Sequence, residues 1–287
     1  NQMIAVSQFV MSPIFVCLPL INIFTKPQEI ALLITIIGLA LFNIYLYVKC
    51  GQMDPGVMPS EKRGASEVQR LTENLDFHAQ HFDYYNQCYT CLVNKPPGSS
   101  HCQWCDHCVC LFDHCCQWIS CIGVRNYFYY LMCLVFTIIY CYLVFVLNII
   151  MIAFIFCHEY KNPFFNQIWA TILLAGYGLA GAWCGSFSLW LGVRHWKRLV
   201  RNVTTKGFLQ PEKDFGKLIR ESFRGESFQQ VQKECRAKLG FRFNDKILGF
   251  QRAFYGRKFP VVRFQSILEA EDVAWCWTIA FTRPNAK

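Results

Sequence analysis

Nine of the 17 cysteines of this chain lie within 34 residues, from Cys88 to Cys121. Cysteines two residues apart, as in Cys88/Cys91 and Cys102/Cys105, can aim both sulfurs at one tetrahedral zinc ion from a tight turn. The stretch offers enough ligands for two closed four-ligand zinc sites. The eight candidate ligands are Cys88, Cys91, His101, Cys102, Cys105, Cys108, Cys115 and Cys121.

Two other uses of these cysteines fit less well. Disulfides suit an oxidising compartment, whereas the charge pattern described below predicts a cytosolic position for this stretch, where thiols stay reduced. An iron–sulfur cluster fits neither the histidine built into the pattern nor the spacings, which match no ferredoxin arrangement. Zinc remains the favoured interpretation.

Asp113, His114 and Cys116 form a second group of residues that could do chemistry. In an activated thiolate, a histidine takes the thiol proton and a carboxylate fixes the tautomer of the histidine and stabilises its charge. Asp113 and His114 would equally serve as outer support for a zinc ligand. The spacing alone leaves both interpretations open.

The composition indicates that these residues are carried by a membrane protein. Charged residues make up 16% of the chain and apolar residues 54%, against about 25% charged residues in soluble domains. Four apolar runs can each supply the roughly 20 residues that a helix needs to cross a bilayer. We therefore predict an α-helical polytopic membrane protein with four transmembrane helices, at residues 4–24, 30–48, 127–157 and 162–193.

The remaining segments are predicted to lie in the cytosol. Residues 49–126 would form a linker and the cysteine-rich domain, with six Lys and Arg, and residues 194–287 a basic, aromatic-rich C-terminal domain with 20. The short connections 25–29 and 158–161 carry one each, and excess basic charge marks cytoplasmic segments. Both termini and the cysteine-rich domain are thus expected in the cytosol. We interpret the net charge of +9 as a sign that the chain interacts with the anionic inner leaflet rather than with a nucleic acid.

The pattern from Cys88 to Asn126 resembles the cysteine-rich domain of the DHHC family of protein S-acyltransferases (palmitoyltransferases). In that family, four membrane helices carry the domain on the cytosolic loop between the second and third. Asp54-Pro55-Gly56, which alone predicts an ordinary turn, resembles the DPG motif of the family. Asn202-Val203-Thr204-Thr205 resembles the start of its TTxE motif. The resemblance covers about residues 4–207.

The resemblance implies roles for individual residues. Asp113, His114 and Cys116 would form the catalytic triad, and Thr205 would brace Asp113. Lys95 would meet the phosphates of coenzyme A, and Trp118 would line the acyl pocket. Tyr140 would close that pocket or would be an ordinary helix-packing aromatic. The first zinc would be held by Cys88, Cys91, His101 and Cys108, and the second by Cys102, Cys105, Cys115 and Cys121.

The chain departs from the family pattern at four places, one of which is Gly98, where an arginine is common. Cys115 stands where the family tetrad has its second histidine, and a thiolate is an equally good zinc ligand there. Cys116 and Cys121 enclose four residues, where the family usually has five. Gly207 stands where the TTxE motif has glutamate. Whether Cys115 or Cys116 is the nucleophile stays open at this point.

The predicted function is protein S-acylation. The enzyme would move a long-chain acyl group, palmitoyl foremost, from acyl-CoA through an acyl-cysteine intermediate to a cysteine of a membrane-associated protein. Two zinc ions would be structural. The alternatives are a catalytically weak relative that acts as a zinc-binding membrane scaffold, and a zinc-finger membrane adaptor.

The resemblance also implies partners and a location. The bilayer, acyl-CoA and membrane-associated proteins with cytosolic cysteines are the expected partners, and an accessory subunit or a homo-oligomer is compatible with the family. The usual location of the family is the membrane of the Golgi or the endoplasmic reticulum.

Overall fold

A computed structural model of the chain describes residues 27–58, 87–88, 90–91, 93–95, 98–157, 167–209, 226–259 and 276–281. The predicted span at 4–24 lies outside these residues. Three helices among the described residues contain segments long and apolar enough to cross a membrane, namely Ile30–Gln52, Tyr127–Cys157 and Thr171–Arg201. The full helices are α1 (Pro27–Gln52), α2 (Tyr127–Cys157) and α3 (Gln167–Arg201).

Most of the three long helices belongs to one compact unit, Asn1–Cys50 with Tyr129–Arg194. Its core is apolar and includes Ile36, Tyr140 and Leu174. A Cβ added at Gly185 would lie 3.1 Å from the Cβ of Cys141, so a small residue is needed there for α3 to approach α2. Large apolar side chains on the outside, such as Trp183 at 77% exposed, are expected of helices that face lipid.

The second unit comprises Gly51–Phe128 and His195–Lys287. Its cysteine-rich part is built from three antiparallel hairpins, each joining two short strands. The strands are β1 (Gln87–Cys88), β2 (Val93–Asn94), β3 (Ser100–Cys102), β4 (His107–Val109), β5 (His114–Cys115) and β6 (Cys121–Ile122).

Short helices from the C-terminal part complete this unit. They are α4 (Thr205–Leu209), α5 (Glu226–Leu239) and α6 (Leu248–Tyr255), with one further helical turn at 276–280. Phe228, Leu248 and Trp277 from this part share a buried core with Val93 and Val124 from the hairpin region. The C-terminal part and the cysteine-rich hairpins therefore fold around one core.

The end of α3 determines where the following residues lie. Helix α3 continues to Arg201, past the predicted end at 193, and Asn202 then takes a left-handed conformation with φ 57°. The backbone N–H groups of Asn202 and Val203 donate to the carbonyls of Leu199 and Arg198, both at 3.0 Å. This is the bonding pattern of a Schellman helix stop, and asparagine tolerates the left-handed position. The chain reverses here and leads into Thr205.

Candidate active site and metal centres

The first four predicted zinc ligands lie together. The ligand atoms of Cys88, Cys91, His101 and Cys108 are all within 4.8 Å of one another. His101 Nδ1 lies 3.3 Å from the sulfur of Cys91 and 3.9 Å from that of Cys108. Tetrahedral zinc with ordinary bond lengths places its ligand atoms about 3.5 to 3.8 Å apart. The spacing therefore fits zinc.

Outer contacts support this first group. The backbone N–H of Cys91 points at the sulfur of Cys88, 3.5 Å away, which helps to hold a thiolate. The other ring nitrogen of His101, Nε2, lies 3.7 Å from a carboxylate oxygen of Asp106. A carboxylate at that position orients a metal-binding imidazole and fixes its tautomer.

The second four predicted ligands also lie together. The sulfurs of Cys102, Cys105, Cys115 and Cys121 are within 4.8 Å of one another, and those of Cys105 and Cys115 are 3.8 Å apart. Cys115 and Cys121 are directly paired across the β5–β6 hairpin. All four ligands are sulfur, so Cys115 contributes a donor that zinc binds well where the resembled family has histidine.

The Asp54-Pro55-Gly56 turn forms part of the frame around β4. Asp54 Oδ1 accepts hydrogen bonds from the backbone of Gly56 and Val57, both at 2.9 Å, and Oδ2 accepts one from Arg125 at 3.0 Å. Gly56 has φ 102°, and a Cβ there would lie 2.7 Å from a methyl of Val124. Both facts require glycine. The turn is thus a junction between two segments about 70 residues apart in sequence.

Asp113, His114 and Cys116 come together at the β5–β6 hairpin. His114 Nδ1 lies 2.8 Å from Asp113 Oδ2, which leaves Nε2 to face the thiol of Cys116, its second hydrogen-bond partner. Asp113 is 3% exposed, whereas His114 and Cys116 are partly exposed. A base, its orienting carboxylate and a reachable thiol are the parts of an activated nucleophile.

The electrostatics favour a thiolate at Cys116. Burial alone raises the pKa of Cys116, but the hydrogen bond to His114 and the backbone N–H groups of Trp118 and Ile119 outweigh it and lower the pKa. Burial alone lowers the pKa of His114, but its bonds to Asp113 and Cys116 raise it to about 9. Thiolate and imidazolium therefore stabilise each other.

Thr205 lies directly against Asp113. Its hydroxyl donates to Asp113 Oδ2 at 2.5 Å and its backbone N–H to Oδ1 at 2.7 Å. The guanidinium of Arg198 in turn donates to the hydroxyl oxygen of Thr205 at 2.6 Å. Burial alone raises the pKa of Asp113, but the bond and charge of His114 and the Thr205 hydroxyl lower it. Asp113 is thereby kept ionised in a buried position.

Two further residues of the site were not expected from the sequence. His195 lies beside the pair, with its ligand atom within 4.8 Å of those of Asp113 and His114. Its Nδ1 is 3.0 Å from the hydroxyl of Tyr127. The only sequence signal for His195 is its place as a polar residue just after an apolar run, which does not indicate a partner.

Arg252 was also missed by sequence reasoning. It is 9% exposed and donates to the backbone carbonyls of Asn202 at 3.0 Å and Val203 at 3.2 Å. The side-chain amide of Asn202 donates to the carbonyl of Phe281 at 2.7 Å. Residues close to the C-terminus therefore hold the turn that presents Thr205 to Asp113.

The other predicted site residues have different surroundings. Trp118 follows Cys116 by two residues and its side chain is 52% exposed. Lys95 follows β2 and is partly exposed. Tyr140 is 3% exposed in the core of the helical unit. Burial raises the pKa of the remaining cysteine of the stretch, Cys110, to about 12, so its thiol stays protonated.

The comparisons with known proteins agree with this geometry. A family model described as DHHC palmitoyltransferase matches residues 81–212. "Palmitoyltransferase akr1" of Neurospora crassa is 36% identical over 101 residues, which is 34% of this chain and 14% of that protein. "Palmitoyltransferase ZDHHC9" of Homo sapiens is 34% identical over 134 residues, 40% of this chain and 36% of that protein.

A longer match has lower identity. "Probable protein S-acyltransferase 7" of Arabidopsis thaliana is 27% identical over 212 residues, 67% of this chain and 47% of that protein. The chain thus spans less than half the length of each of these curated relatives. The family match includes both metal groups, the triad and Thr205, and the chain therefore contains a segment, residues 81–212, that matches the DHHC palmitoyltransferase domain.

Proposed function

We propose that the chain is a protein S-acyltransferase that uses Cys116 as its nucleophile. The observation that carries the proposal is the hydrogen-bonded series from Thr205 through Asp113 and His114 to Cys116. Cys115 is the less suitable nucleophile because its sulfur lies in the second group of metal ligands. A zinc-bound thiolate would be held there rather than released for attack.

In the first step, the thiolate of Cys116 attacks the thioester carbonyl of a long-chain acyl-CoA. The bond from the carbonyl carbon to the sulfur of coenzyme A breaks, and His114 gives its proton to the leaving thiolate. Asp113 keeps the His114 ring in place through Nδ1, so that Nε2 can move the proton. The product is an acyl-cysteine at position 116 and a neutral His114.

In the second step, neutral His114 takes the proton of an acceptor cysteine on a membrane-associated protein. The new thiolate attacks the acyl-cysteine, and Cys116 leaves as a thiolate beside the regenerated imidazolium. A thioester is exchanged for a thioester in both steps, so the transfer needs no external energy source.

Two zinc ions would have structural roles. Each four-ligand group would fill the coordination of one ion with protein side chains and leave no open position for a reacting water. The second group includes Cys115, the neighbour of Cys116, and would hold the β5–β6 hairpin in shape. Zinc would therefore position the nucleophile without taking part in the transfer.

The bilayer would supply the acyl site and the substrates. We propose that Trp118 and Tyr140 line the path of the acyl chain and that Lys95 meets the phosphates of coenzyme A. Palmitoyl is the proposed acyl chain. The cysteine-rich unit and both termini would lie on the cytosolic side of the Golgi or endoplasmic reticulum membrane. The spare basic charge of the C-terminal region supports that orientation.

The test is acylation of the purified full chain in lipid nanodiscs by labelled palmitoyl-CoA, followed by addition of an acceptor peptide with one cysteine. We expect a label on the chain that hydroxylamine removes and that moves to the acceptor. A chain that contains zinc but takes up no label would contradict the proposal and favour a scaffold.

A further inference from the structure

Helix α6 has an inner face that fixes its orientation. A Cβ added at Gly249 would collide with the backbone carbonyl of Leu199 in the last turn of α3. One turn further along, Arg252 is bonded to the carbonyl of Asn202, as described above. Because these two contacts lie on the same side of α6, they determine which residues point away.

The residues that point away are large and apolar. Phe254 is 46% exposed and Ile247, just before the helix, is 47% exposed. The ring of Phe254 packs edge-on against Phe128 at 5.7 Å between centroids, and the ring of Phe250 packs edge-on against Trp196 at 5.1 Å. Exposed apolar surface of this kind marks an interaction site.

The two contacted aromatics lie at the ends of two helices that are long and apolar enough to cross a membrane. Phe128 is the second residue of α2, and Trp196, a residue that is 60% exposed, lies in the last two turns of α3. Aromatic residues at the ends of membrane helices concentrate at the boundary between hydrocarbon and headgroups. Since Phe250 and Phe254 touch these markers, the outer face of α6 lies at the same depth.

A basic residue completes this surface. The guanidinium carbon of Arg257 lies 4.3 Å from the ring centroids of both Phe128 and Phe254, and the neighbouring Lys258 is exposed. The guanidinium stacks on the rings, and its Nε donates to the backbone carbonyl of Phe254 at 3.1 Å. Stacking uses the flat face of the guanidinium, so the terminal amino groups at its edge can bind phosphate oxygens. The lipid headgroup phosphate is the ligand found at this depth.

We propose that α6 is an interfacial helix, with its outer face of Ile247, Phe250 and Phe254 seated in the phospholipid layer and Arg257 bound to headgroup phosphate. Anionic phospholipid is the preferred partner because Arg257 and Lys258 add positive charge at the surface. A protein partner is less favoured because the surface continues directly into residues at the ends of bilayer-crossing helices. The proposal does not depend on acyl transfer.

The test places a photo-crosslinking amino acid, p-benzoylphenylalanine, at position 254 of the full chain in nanodiscs of phosphatidylcholine and phosphatidylserine. We expect lipid adducts at position 254 after irradiation. The same probe at Phe156, 71% exposed on α2, is the positive control. The probe at Gln229, exposed on α5, is the matched negative control.

Arg257→Gln tests the phosphate contact. We expect it to reduce adducts with phosphatidylserine relative to phosphatidylcholine by roughly fivefold, the effect of one basic residue at an anionic surface. Absence of lipid adducts at position 254 while Phe156 forms them would overturn the proposal, as would a protein adduct in their place. An unchanged lipid ratio in Arg257→Gln would overturn the assignment of the phosphate contact.

Discussion

Replacement of Thr205 by valine tests the support of the triad. Valine keeps the shape of threonine but removes the hydroxyl that donates to Asp113 Oδ2 at 2.5 Å. A hydrogen bond to a charged group contributes about 2 kcal/mol, and the backbone N–H of residue 205 would remain. Because the buried carboxylate loses that stabilisation, the pKa of Asp113 rises and its hold on His114 weakens. We expect self-acylation to slow by about 30-fold.

The assay is single-turnover acylation of the chain in nanodiscs by labelled palmitoyl-CoA, with zinc content measured on the same samples. Thr205→Ser is the matched control, because it keeps the hydroxyl and should stay within a few-fold of the unmodified chain. If Thr205→Val acylated as fast as Thr205→Ser at equal zinc content, the support of Asp113 by the hydroxyl would be refuted.

Three further outcomes are expected. Asp54→Ala should lower the free energy of unfolding by about 2 kcal/mol, because it removes two turn hydrogen bonds and the partner of Arg125, which is only 8% exposed. Asp54→Asn keeps a side-chain oxygen in this position and should lose less stability, as measured by thermal unfolding. A loss of stability equal to that of Asp54→Ala would contradict the role of Oδ1. Removal of metal by a strong chelator should unfold the hairpins and release two zinc ions per chain, measured by colorimetric titration. A circular dichroism spectrum that stays unchanged after metal removal would contradict a structural role of the metal. The rate of alkylation of Cys116 by iodoacetamide, followed by peptide mass spectrometry, should rise less steeply with pH than that of an ordinary thiol and give a flatter profile, because the pKa of Cys116 is lowered and that of His114 is raised to about 9. In Asp113→Asn the alkylation rate should instead rise steadily with pH as for an ordinary thiol, and the same flat profile there would contradict the ion pair.

The sequence predicts the local parts of the site because they depend on short spacings. A Cys-x2-Cys turn places its two sulfurs within reach of one metal ion, whereas the spacing of Asp113, His114 and Cys116 alone left their role open. The division of the eight ligands into two groups and the role of the triad were expected from the family resemblance, and the structure brings each group together, as well as Asp113 with His114 and Cys116.

The contacts between distant segments could not be derived in this way. Arg252 bonds to a turn about 50 residues earlier, and Asp54 pairs with Arg125 across 71 residues. No periodicity links such positions, since each is buried only after the unit has folded. The contact of His195 with Asp113 and His114 could not be derived from the sequence either, because these residues are about 80 positions apart. The contact of Thr205 with Asp113 was expected from a family motif rather than from any physical pattern in the chain.

The arrangement around Thr205 indicates how stability and reactivity are linked in the second unit. The Schellman stop at Asn202, the bonds from Arg252 and the bond to the Phe281 carbonyl all act on the same short turn. Changes far from Cys116 in sequence can therefore alter the triad through this turn.

The most direct test of the central hypothesis is to locate the acyl group. The full chain, Cys116→Ala and Cys115→Ala would each be treated with palmitoyl-CoA in nanodiscs, with peptide mass spectrometry and zinc content measured together. We predict palmitoyl on Cys116 in the unmodified chain, no acylation of Cys116→Ala with two zinc ions retained, and reduced zinc in Cys115→Ala. Palmitoyl on Cys115, or full acylation of Cys116→Ala, would contradict Cys116 as the nucleophile.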